Sequence, residues 1–153
     1  MDRKKIAIFT GNRAEYGLLN PLIRELSSRA SFEVYLIISG SHLLEDFGKT
    51  VCEIDTSMVK SIRKIPLSVT DANKKVELLL LFSDVIREGT TALANLNPQF
   101  LVLAGDRYET FAMAVTAYYL NIPIVHLFGG DLSQGRHLDD SVRHSITKIS
   151  HLH

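Results

Sequence analysis

The sequence has a single cysteine, no tryptophan and no excess of charge of either sign. Among its 153 residues, 17 Lys and Arg balance 17 Asp and Glu, so the formal net charge is zero. Proteins that bind nucleic acids or anionic membranes use an excess of positive charge, and this balance therefore argues against both partners. We expect any anionic ligand to be small and to bind in a local pocket.

The lone cysteine and the short apolar runs exclude further classes. Cys52 has no second cysteine for an internal disulfide or a zinc-ligand pair, which favours a reduced, cytoplasmic setting. The longest apolar runs, such as Leu78 to Phe82, are far shorter than the roughly 20 residues of a membrane-spanning helix. The apolar positions after Arg3 are too few for the core of a signal peptide.

The chain does contain the apolar share of an ordinary globular domain, with 46% apolar and 22% charged residues. Five short segments are rich in apolar residues that do not strictly alternate with polar ones, which is typical of strands buried on both faces of a parallel sheet. These predicted strands are 6–9, 34–39, 62–67, 100–104 and 122–127. Helical segments separate them, so we predict an α/β fold with a Rossmann-like, doubly wound parallel sheet.

Four helices are predicted, over about 18–26, 71–96 and 107–120 and from Asp139 onwards. In the last helix, Val142, Ile146 and Ile149 are spaced to face the core. The side chains expected to face inward from the long second helix are Val76, Leu79, Leu80, Ser83, Ile86 and Leu93. The glycine-rich loop 129–138 is expected to be the most mobile internal segment.

Ligands of parallel sheets bind at the carboxyl ends of the strands, so the segments that follow the strands are the candidate sites. Gly11 and Arg13 follow the first strand, where the free N–H groups of the next helix favour an anion and Arg13 adds a bidentate phosphate donor. An ordinary strand-to-helix turn with a solvated arginine explains the same residues. The segment matches neither G-x-G-x-x-G nor the P-loop, so we predict no nicotinamide cofactor and no ATP.

Asp106 and Arg107 come directly after the fourth strand and Gly105. A carboxylate that is shielded from water beside a cation is suited to act as a general base. Alternatively, Asp106 caps the following helix by accepting hydrogen bonds from its first N–H groups. Both interpretations are open from the sequence.

His126 ends the fifth strand and is followed by Gly129, Gly130 and Asp131. The glycines let the backbone approach a ligand, and Asp131 adds a further acid. The simpler interpretation of His126 is a core histidine hydrogen-bonded to the backbone. The spacing is not that of a zinc site, so we predict no metal.

Charged residues are dense at the start of the last predicted helix. Asp139 and Arg143 are four residues apart and share a helix face, as a cap and its ordinary partner would. Asp140 and His144 are also close by, directly after a glycine-rich loop. Such a high density of titratable residues indicates a functional site.

Four motifs together resemble the UDP-N-acetylglucosamine 2-epimerases. They are TGNRAEY from Thr10, GDRYE from Gly105, HLFGG from His126 and DDSVRHSITK from Asp139, of which the last is the most specific. The resemblance covers the whole chain in order. It is closest to the hydrolysing branch, which makes N-acetylmannosamine or related sugars for sialic and legionaminic acid synthesis.

The resemblance implies a glycosyltransferase-B fold, in which the ligand lies between two Rossmann-like halves. Residues 1–153 would form the N-terminal domain without the C-terminal nucleotide-binding domain, and the chain alone would be inactive or nearly so. The sequence stops at His153, where another strand is expected. We therefore expect the chain to be a piece of a longer protein. The implied reaction eliminates UDP across C1 and C2 of a nucleotide sugar such as UDP-N-acetylglucosamine, and then adds water with inversion at C2; no cofactor is implied.

The resemblance also implies residue roles. Asp106 and Asp139 would be catalytic. Phe128 stands where other branches carry a catalytic glutamate, so either Asp131 takes the acid role or this branch divides the catalytic roles differently. The residues implied to bind the substrate are Gly11, Arg13, Arg107, His126, Arg143 and His144. The Asp106 carboxylate is expected within reach of the Arg13 loop.

Two other functions compete with this one: a noncatalytic interaction module that keeps the fold, and the acceptor-side half of a glycosyltransferase of the same fold. The presence of Asp106, Asp139 and Arg143 favours the enzyme, since a scaffold has no use for them. The open face is expected to expose apolar surface, so the expected protein partner is a second copy or the missing domain.

Overall fold

Five strands form one sheet in the computed structural model, which describes residues 3–43, 50–68, 75–132 and 138–153. The strands are β1 (Lys4–Thr10), β2 (Phe32–Ile38), β3 (Ser61–Lys64), β4 (Phe100–Ala104) and β5 (Ile124–Leu127). Their order is β3-β2-β1-β4-β5, and all neighbours are parallel. The strand order reverses at β1, so the predicted Rossmann-like, doubly wound sheet is confirmed.

Four helices follow the strands: α1 (Arg13–Ser28), α2 (Lys75–Leu96), α3 (Tyr108–Tyr119) and α4 (Leu138–Ile149). Short 3₁₀ helices, Gly40–Leu43, Thr50–Glu53 and Thr56–Met58, lie between β2 and β3. The predicted start of the second helix at Asp71 and residues 133–137 of the loop expected to be mobile lie outside the described residues. In the ranges that the structure describes, no helix is long and apolar enough to cross a membrane.

The helices cover both faces of the sheet and create two apolar cores. In β1, Ala7 and Phe9 belong to one core and Ile6 and Ile8 to the other, because successive strand side chains point to opposite faces. The helix α1 packs on the Ile6 side through residues such as Leu19, whereas α2, α3 and α4 cover the opposite side. Burial on both faces explains the continuous apolar runs.

The buried face of α2 differs from the predicted one. Val76, Leu79, Leu80 and Ser83 are exposed, Ile86 is half-buried against the core, and Leu93 is buried as expected. The residues that α2 buries are Leu81, Asp84, Val85, Gly89, Ala92 and Leu93. The prediction was wrong in the N-terminal half because the run 78–82 is apolar on every side and does not define the helix rotation. Tertiary contacts define it, since buried Asp84 accepts hydrogen bonds from the N–H and hydroxyl of Ser68.

The last residues of the chain extend the sheet beyond β5. The N–H of His126 donates to the carbonyl of Leu152 at 2.8 Å, and the N–H of His151 donates to the carbonyl of Ile124 at 2.9 Å. Val125 and Leu152 form a parallel bridge. A sixth strand position therefore begins where the sequence predicted another strand.

Alanine substitutions at Leu81 and Leu80 test the rotation of α2. Leu81 is 1% exposed and its neighbour Leu80 is 49% exposed. We expect Leu81→Ala to lower the free energy of unfolding by about 2–4 kcal/mol and Leu80→Ala by less than about 1 kcal/mol, measured by urea denaturation. Equal losses would contradict the rotation described here.

Candidate active site

The loops that follow β1, β4 and β5 leave the sheet side by side at its carboxyl edge. Gly105, the first residue after β4, has a φ of +79°, a left-handed conformation that a side chain would strain. Asp106 follows it. Its expected position at the C-terminal end of an inner parallel strand is therefore confirmed.

An ion pair joins Asp106 to Arg143 of α4. Arg143 donates through Nη2 to Asp106 Oδ2, and through Nη1 to Asp140 at 3.2 Å and to the backbone carbonyl of Asp131 at 3.0 Å. The side chains of Arg143 and Asp106 are only 14% and 23% exposed, so water screens their attraction weakly. The hydrogen bond to Asp106 raises the pKa of the Arg143 guanidinium, which keeps its positive charge.

The structure excludes one of the two interpretations of Asp106, the helix cap. The N-cap residue of α3 is Arg107, and it makes no side-chain cap hydrogen bond. Asp106 is therefore not the cap of α3. Arg143 contacts both its own helix, through Asp140, and the loop after β4, through Asp106, so its role extends beyond an ordinary pair within α4.

The other two carboxylates that were predicted to be catalytic lie near the same ion pair. Asp139, in the first turn of α4, lines the same cavity as Asp106. Asp131 is exposed, and Arg143 holds its backbone carbonyl. The structure thus brings the three acids to the surroundings of Arg143.

His126 is a buried histidine whose two ring nitrogens are both occupied by protein groups. Its Nε2 lies 2.7 Å from the carbonyl of Gly105 and its Nδ1 lies 3.0 Å from the Thr147 hydroxyl. A carbonyl only accepts, so Nε2 carries the hydrogen, and burial lowers the pKa of the ring and favours this neutral form. His126 therefore fixes the loop before Asp106 against α4.

A cavity of about 570 Å³ opens beside Asp106. Its apolar lining includes Leu78, Leu79 and Phe82 of α2, and its polar lining includes Asp106, Arg107 and Asp139. A cavity of this size, mostly apolar with a few convergent polar groups, is typical of small-molecule sites. Leu79, which was expected to face the core, thus forms part of a candidate binding site together with Leu78 and Phe82.

A second charged cluster surrounds the loop after β1. Arg107 Nε donates to Glu109 Oε1 at 2.8 Å, and the N–H of Gly11 donates to Glu15 Oε2 at 2.7 Å. Both glutamates are buried. Gly11, which the resemblance implied to bind the substrate, thus donates its N–H to a carboxylate of the protein itself.

Burial, with a contribution from the charge on Glu109, raises the pKa of Glu15 to about 7. Neither glutamate was among the predicted site residues, although both belong to the motifs TGNRAEY and GDRYE. A signal was present for Glu15, because an asparagine followed three residues later by glutamate is typical of a capping box. Asn12 is indeed the N-cap of α1, and its side chain accepts from the N–H of Glu15 at 3.0 Å.

Glycines permit a close approach around this second cluster. A Cβ at Gly11 would lie 2.6 Å from Glu109 Cγ. A Cβ at Gly40, which has a φ of +61°, would lie 2.4 Å from the carbonyl oxygen of Gly11 and 2.7 Å from Glu109 Oε1. Neither position has room for a side chain.

Two predicted residues lie apart from the Asp106 ion pair. Arg13 contacts Glu53 at 2.7 Å, and its side chain is 73% exposed. His144 is half-buried and, one residue after Arg143, lies about 100° further around α4. Within the described ranges, neither contacts Asp106.

The arrangement combines carboxylates with guanidinium groups at the mouth of an apolar cavity. A shielded carboxylate can remove a proton from carbon, and positioned guanidinium groups stabilise negative charge that develops on a leaving group. In the part of the chain that the structure describes, no group of three His, Cys, Asp or Glu side chains could hold a metal ion. Fold and site define a Rossmann-like domain with an acid–arginine site at the carboxyl edge of its sheet.

Comparison with known proteins assigns the family. Residues 24–153 match the family model described as UDP-N-acetylglucosamine 2-epimerase, and the chain belongs to this family. The family resemblance of the motifs is therefore confirmed.

Similar proteins include two curated bacterial relatives. The GDP/UDP-N,N'-diacetylbacillosamine 2-epimerase (hydrolyzing) of Campylobacter jejuni is 38% identical over all of this chain and 39% of its own length. The UDP-N,N'-diacetylbacillosamine 2-epimerase (hydrolyzing) of Legionella pneumophila is 35% identical over 98% of this chain and 39% of its own. The chain thus spans about two-fifths of the length of these relatives.

The fold is also that of a solved structure, the UDP-GlcNAc 2-epimerase of Neisseria meningitidis bound to UDP-GlcNAc. The two match with a TM-score of 0.72 and 22% identity, over 96% of this chain and 39% of the other.

A double-mutant cycle tests the ion pair between Asp106 and Arg143. We expect Asp106→Ala and Arg143→Ala to be non-additive by about 1–2 kcal/mol in the free energy of unfolding, because the pair is shielded from water. The exposed Glu25–Arg29 pair of α1 is the control, with an expected coupling below about 0.5 kcal/mol. Additive effects at Asp106 and Arg143 would show that their contact does not stabilise the fold.

Alanine substitutions at Gly40 and Gly17 test the close approach at the second cluster. We expect Gly40→Ala to lower the free energy of unfolding by more than about 2 kcal/mol, because it adds a clash and a strained φ. Gly17 lies inside α1, and a Cβ there would meet no atom within 4 Å beyond the backbone of its own helix. Gly17→Ala is therefore expected to raise stability by about 0.5–1 kcal/mol. Urea denaturation measures both, and a neutral Gly40→Ala would contradict the packing.

Proposed function

We propose that this chain forms the sugar-facing part of a hydrolysing nucleotide-sugar 2-epimerase. The observation that carries the proposal is the cavity that Asp106, Asp139 and Arg107 line together, with Arg143 bonded to Asp106 beside it. Membership of the epimerase family supports it, as do the hydrolysing activities named for the Campylobacter and Legionella relatives.

In the proposed reaction, Asp106 takes the proton from C2 of the sugar while the bond between C1 and the UDP oxygen breaks. A double bond forms between C1 and C2, and negative charge develops on the leaving diphosphate, where Arg107 and Arg13 would meet it. Water then adds its oxygen to C1, and a proton arrives at the opposite face of C2. Asp131 and Asp139 are the groups proposed for this second proton transfer.

The positioning of the remaining residues follows from their contacts. Arg143 orients Asp106 and holds the Asp131 backbone, and His126 ties the Gly105 carbonyl to α4. Gly11 is proposed to lie beside the diphosphate, in a loop that Glu15 holds through the Gly11 N–H. His144 is proposed to contact the sugar only when the site is complete.

The proposed substrate is a nucleoside diphosphate sugar that carries acetamido groups. The relatives are named for diacetylated sugars, and the Neisseria structure contains UDP-GlcNAc. The apolar side chains of Leu78, Leu79 and Phe82 suit acetamido methyl groups, while Asp106 and Asp139 supply the acid and base groups. The product would be N-acetylmannosamine or a related sugar of the kind used for sialic-type acids.

The rest of the site is proposed to come from a second, C-terminal domain, with residues 1–153 forming the N-terminal one. Arginines in contact with water hold an anion weakly, at about 1 kcal/mol for each contact. The exposed Val76, Leu79 and Leu80 are proposed to be covered by that domain or by a second copy of the chain. We place the protein in the cytoplasm, where Cys52 stays reduced.

The purified chain alone is not expected to release UDP from UDP-N-acetylglucosamine at a measurable rate. Millimolar binding alone needs about 4 kcal/mol beyond the ordering costs, and the chemistry further needs a site closed to water. A coupled UDP-release assay measures the rate, with Asp106→Asn as the control for contaminating activity. Turnover that disappears in this variant would show that the chain is sufficient.

The function itself is tested by joining the chain to the remaining part of the Campylobacter relative. We expect this enzyme to release UDP and an epimerised free sugar, and Asp106→Asn to lower turnover by about 10²-fold or more. Glu25→Gln makes the same carboxylate-to-amide change at an exposed position of α1 outside the cavity lining, so it is the matched control and should leave turnover unchanged.

UDP-N-acetylglucosamine and a UDP-diacetamido sugar are compared as substrates, with water as the sole acceptor. UDP release that requires an added sugar acceptor would support a glycosyltransferase. Normal turnover of the Asp106→Asn variant would show that Asp106 is not the catalytic base.

A further inference from the structure

Two acidic side chains are buried at the carboxyl edge and are not used by the proposed reaction. Glu15, in the first turn of α1, is 7% exposed, and Glu109, in the first turn of α3, is fully buried. Each uses one oxygen, Glu15 Oε2 for the Gly11 N–H and Glu109 Oε1 for Arg107 Nε. Their other oxygens, Glu15 Oε1 and Glu109 Oε2, are buried and have no hydrogen-bond partner among the described residues. Buried polar atoms are nearly always paired, so two such oxygens need an explanation.

Charge balance supplies the explanation. Two ionised carboxylates and one guanidinium would leave a net negative charge in a place that water does not reach, and a buried charge without a partner is costly. Arg107 contacts Glu109 directly, and among the residues that the structure describes no cation is in contact with Glu15. One proton on Glu15 makes the cluster neutral and gives one of its carboxyl oxygens a hydrogen to donate.

The groups around Glu15 agree with a proton at this position. From the α3 side come Arg107 and Glu109. Tyr108 lies near these two, and burial raises its pKa, which keeps it neutral. His42, in the 3₁₀ helix after β2, has its pKa lowered by burial, and its ring nitrogens lie 3.1 Å and 2.9 Å from the hydroxyls of Thr10 and Thr50. The Arg13–Glu53 pair lies outside, exposed to solvent.

Close packing links the two glutamates to three strand ends. A Cβ at Gly11 or Gly40 would lie under 3 Å from Glu109, and one at Gly105 would lie 3.9 Å from Glu15 Oε1. These glycines follow β1, β2 and β4, so the backbone of the three loops lies against the carboxyl groups. A change in their charge must therefore act on the loops.

We propose that Glu15 and Glu109 form a buried carboxyl pair in which Glu15 holds the proton, and that this pair positions Arg107 and the Gly11 loop. Both are positioning residues, since they contact Gly11 and Arg107 and not the cavity. Loss of the proton adds a second negative charge beside Arg107, which draws its guanidinium towards the pair and offsets its charge. The consequence for diphosphate binding rests on the proposed function, whereas the location of the proton does not.

NMR of the uniformly ¹³C,¹⁵N-labelled chain tests the pair without any ligand. Burial raises the pKa of Glu15 from 4.5 to about 7, so we expect its Cδ resonance to titrate with a midpoint near 7. The Nε–Hε resonance of Arg107 is expected to shift with the same midpoint, because Nε donates to Glu109. In Glu15→Gln the Arg107 shift should disappear, whereas Glu25→Gln, an exposed acid of the same helix, should leave both titrations unchanged.

Each readout can overturn the proposal. A titration midpoint of Glu15 below about pH 5.5 would contradict a proton on Glu15. An Arg107 resonance that does not shift with the titration of Glu15 would contradict the positioning role. If the Glu15→Gln variant does not fold, the titration midpoints of Glu15 and Arg107 in the wild-type chain still test the proposal. Because no nucleotide sugar is used, failure of the UDP-release experiment does not affect this result.

The pH dependence of stability provides a further test with a defined sign. A pKa that is raised in the folded state stabilises the fold below the unfolded-state pKa, and this stabilisation is lost as the pH rises through the folded-state pKa. The melting temperature of the wild-type chain relative to Glu15→Gln should therefore fall between about pH 5 and pH 8. A constant difference would contradict a proton on Glu15.

Discussion

The contact between Arg143 and Asp106 determines the geometry of the candidate active site. It joins α4 to the loop after β4, two elements that are 37 residues apart in the sequence. Because both side chains are largely shielded, loss of one partner would leave a poorly solvated charge, at a cost of up to about 3–5 kcal/mol. The same guanidinium also holds Asp140 and the Asp131 backbone, so one residue sets the positions of several acids.

His126 adds an uncharged connection between the same elements. Its ring lies between the Gly105 carbonyl and the Thr147 hydroxyl, and Thr147 also accepts from the N–H of Gly130 at 3.2 Å. The loops that follow β4 and β5 are therefore fixed to α4 by hydrogen bonds that do not depend on charge. A site that must hold carboxylates near one another benefits from such neutral support, because repulsion among the acids acts to separate them.

The second cluster, around Glu15 and Glu109, balances buried negative charge at the loops that follow β1 and β4. Glu15 and Glu109 bring negative charge into the interior, where it is costly, and Arg107 with a proton on Glu15 balances it. Groups whose charge is adjusted by burial are common at functional sites, where loops must keep a defined position before a ligand arrives. The apolar α2 side chains beside Asp106 have an equivalent role for the sugar, since they shape a cavity that polar residues alone would leave open to water.

The sequence by itself determined the strands, the helices and the edge of the sheet where the site lies. Continuous apolar runs required burial on both faces, and Gly105-Asp106 after β4 marked that edge. Only the tertiary structure decided which charges meet, because Asp106 pairs with Arg143 through strand order and helix position, which no local pattern contains. It also decided the rotation of α2. The run 78–82 is apolar on all sides, so the sequence does not define which face of the helix is buried, whereas the hydrogen bond from Ser68 to Asp84 does.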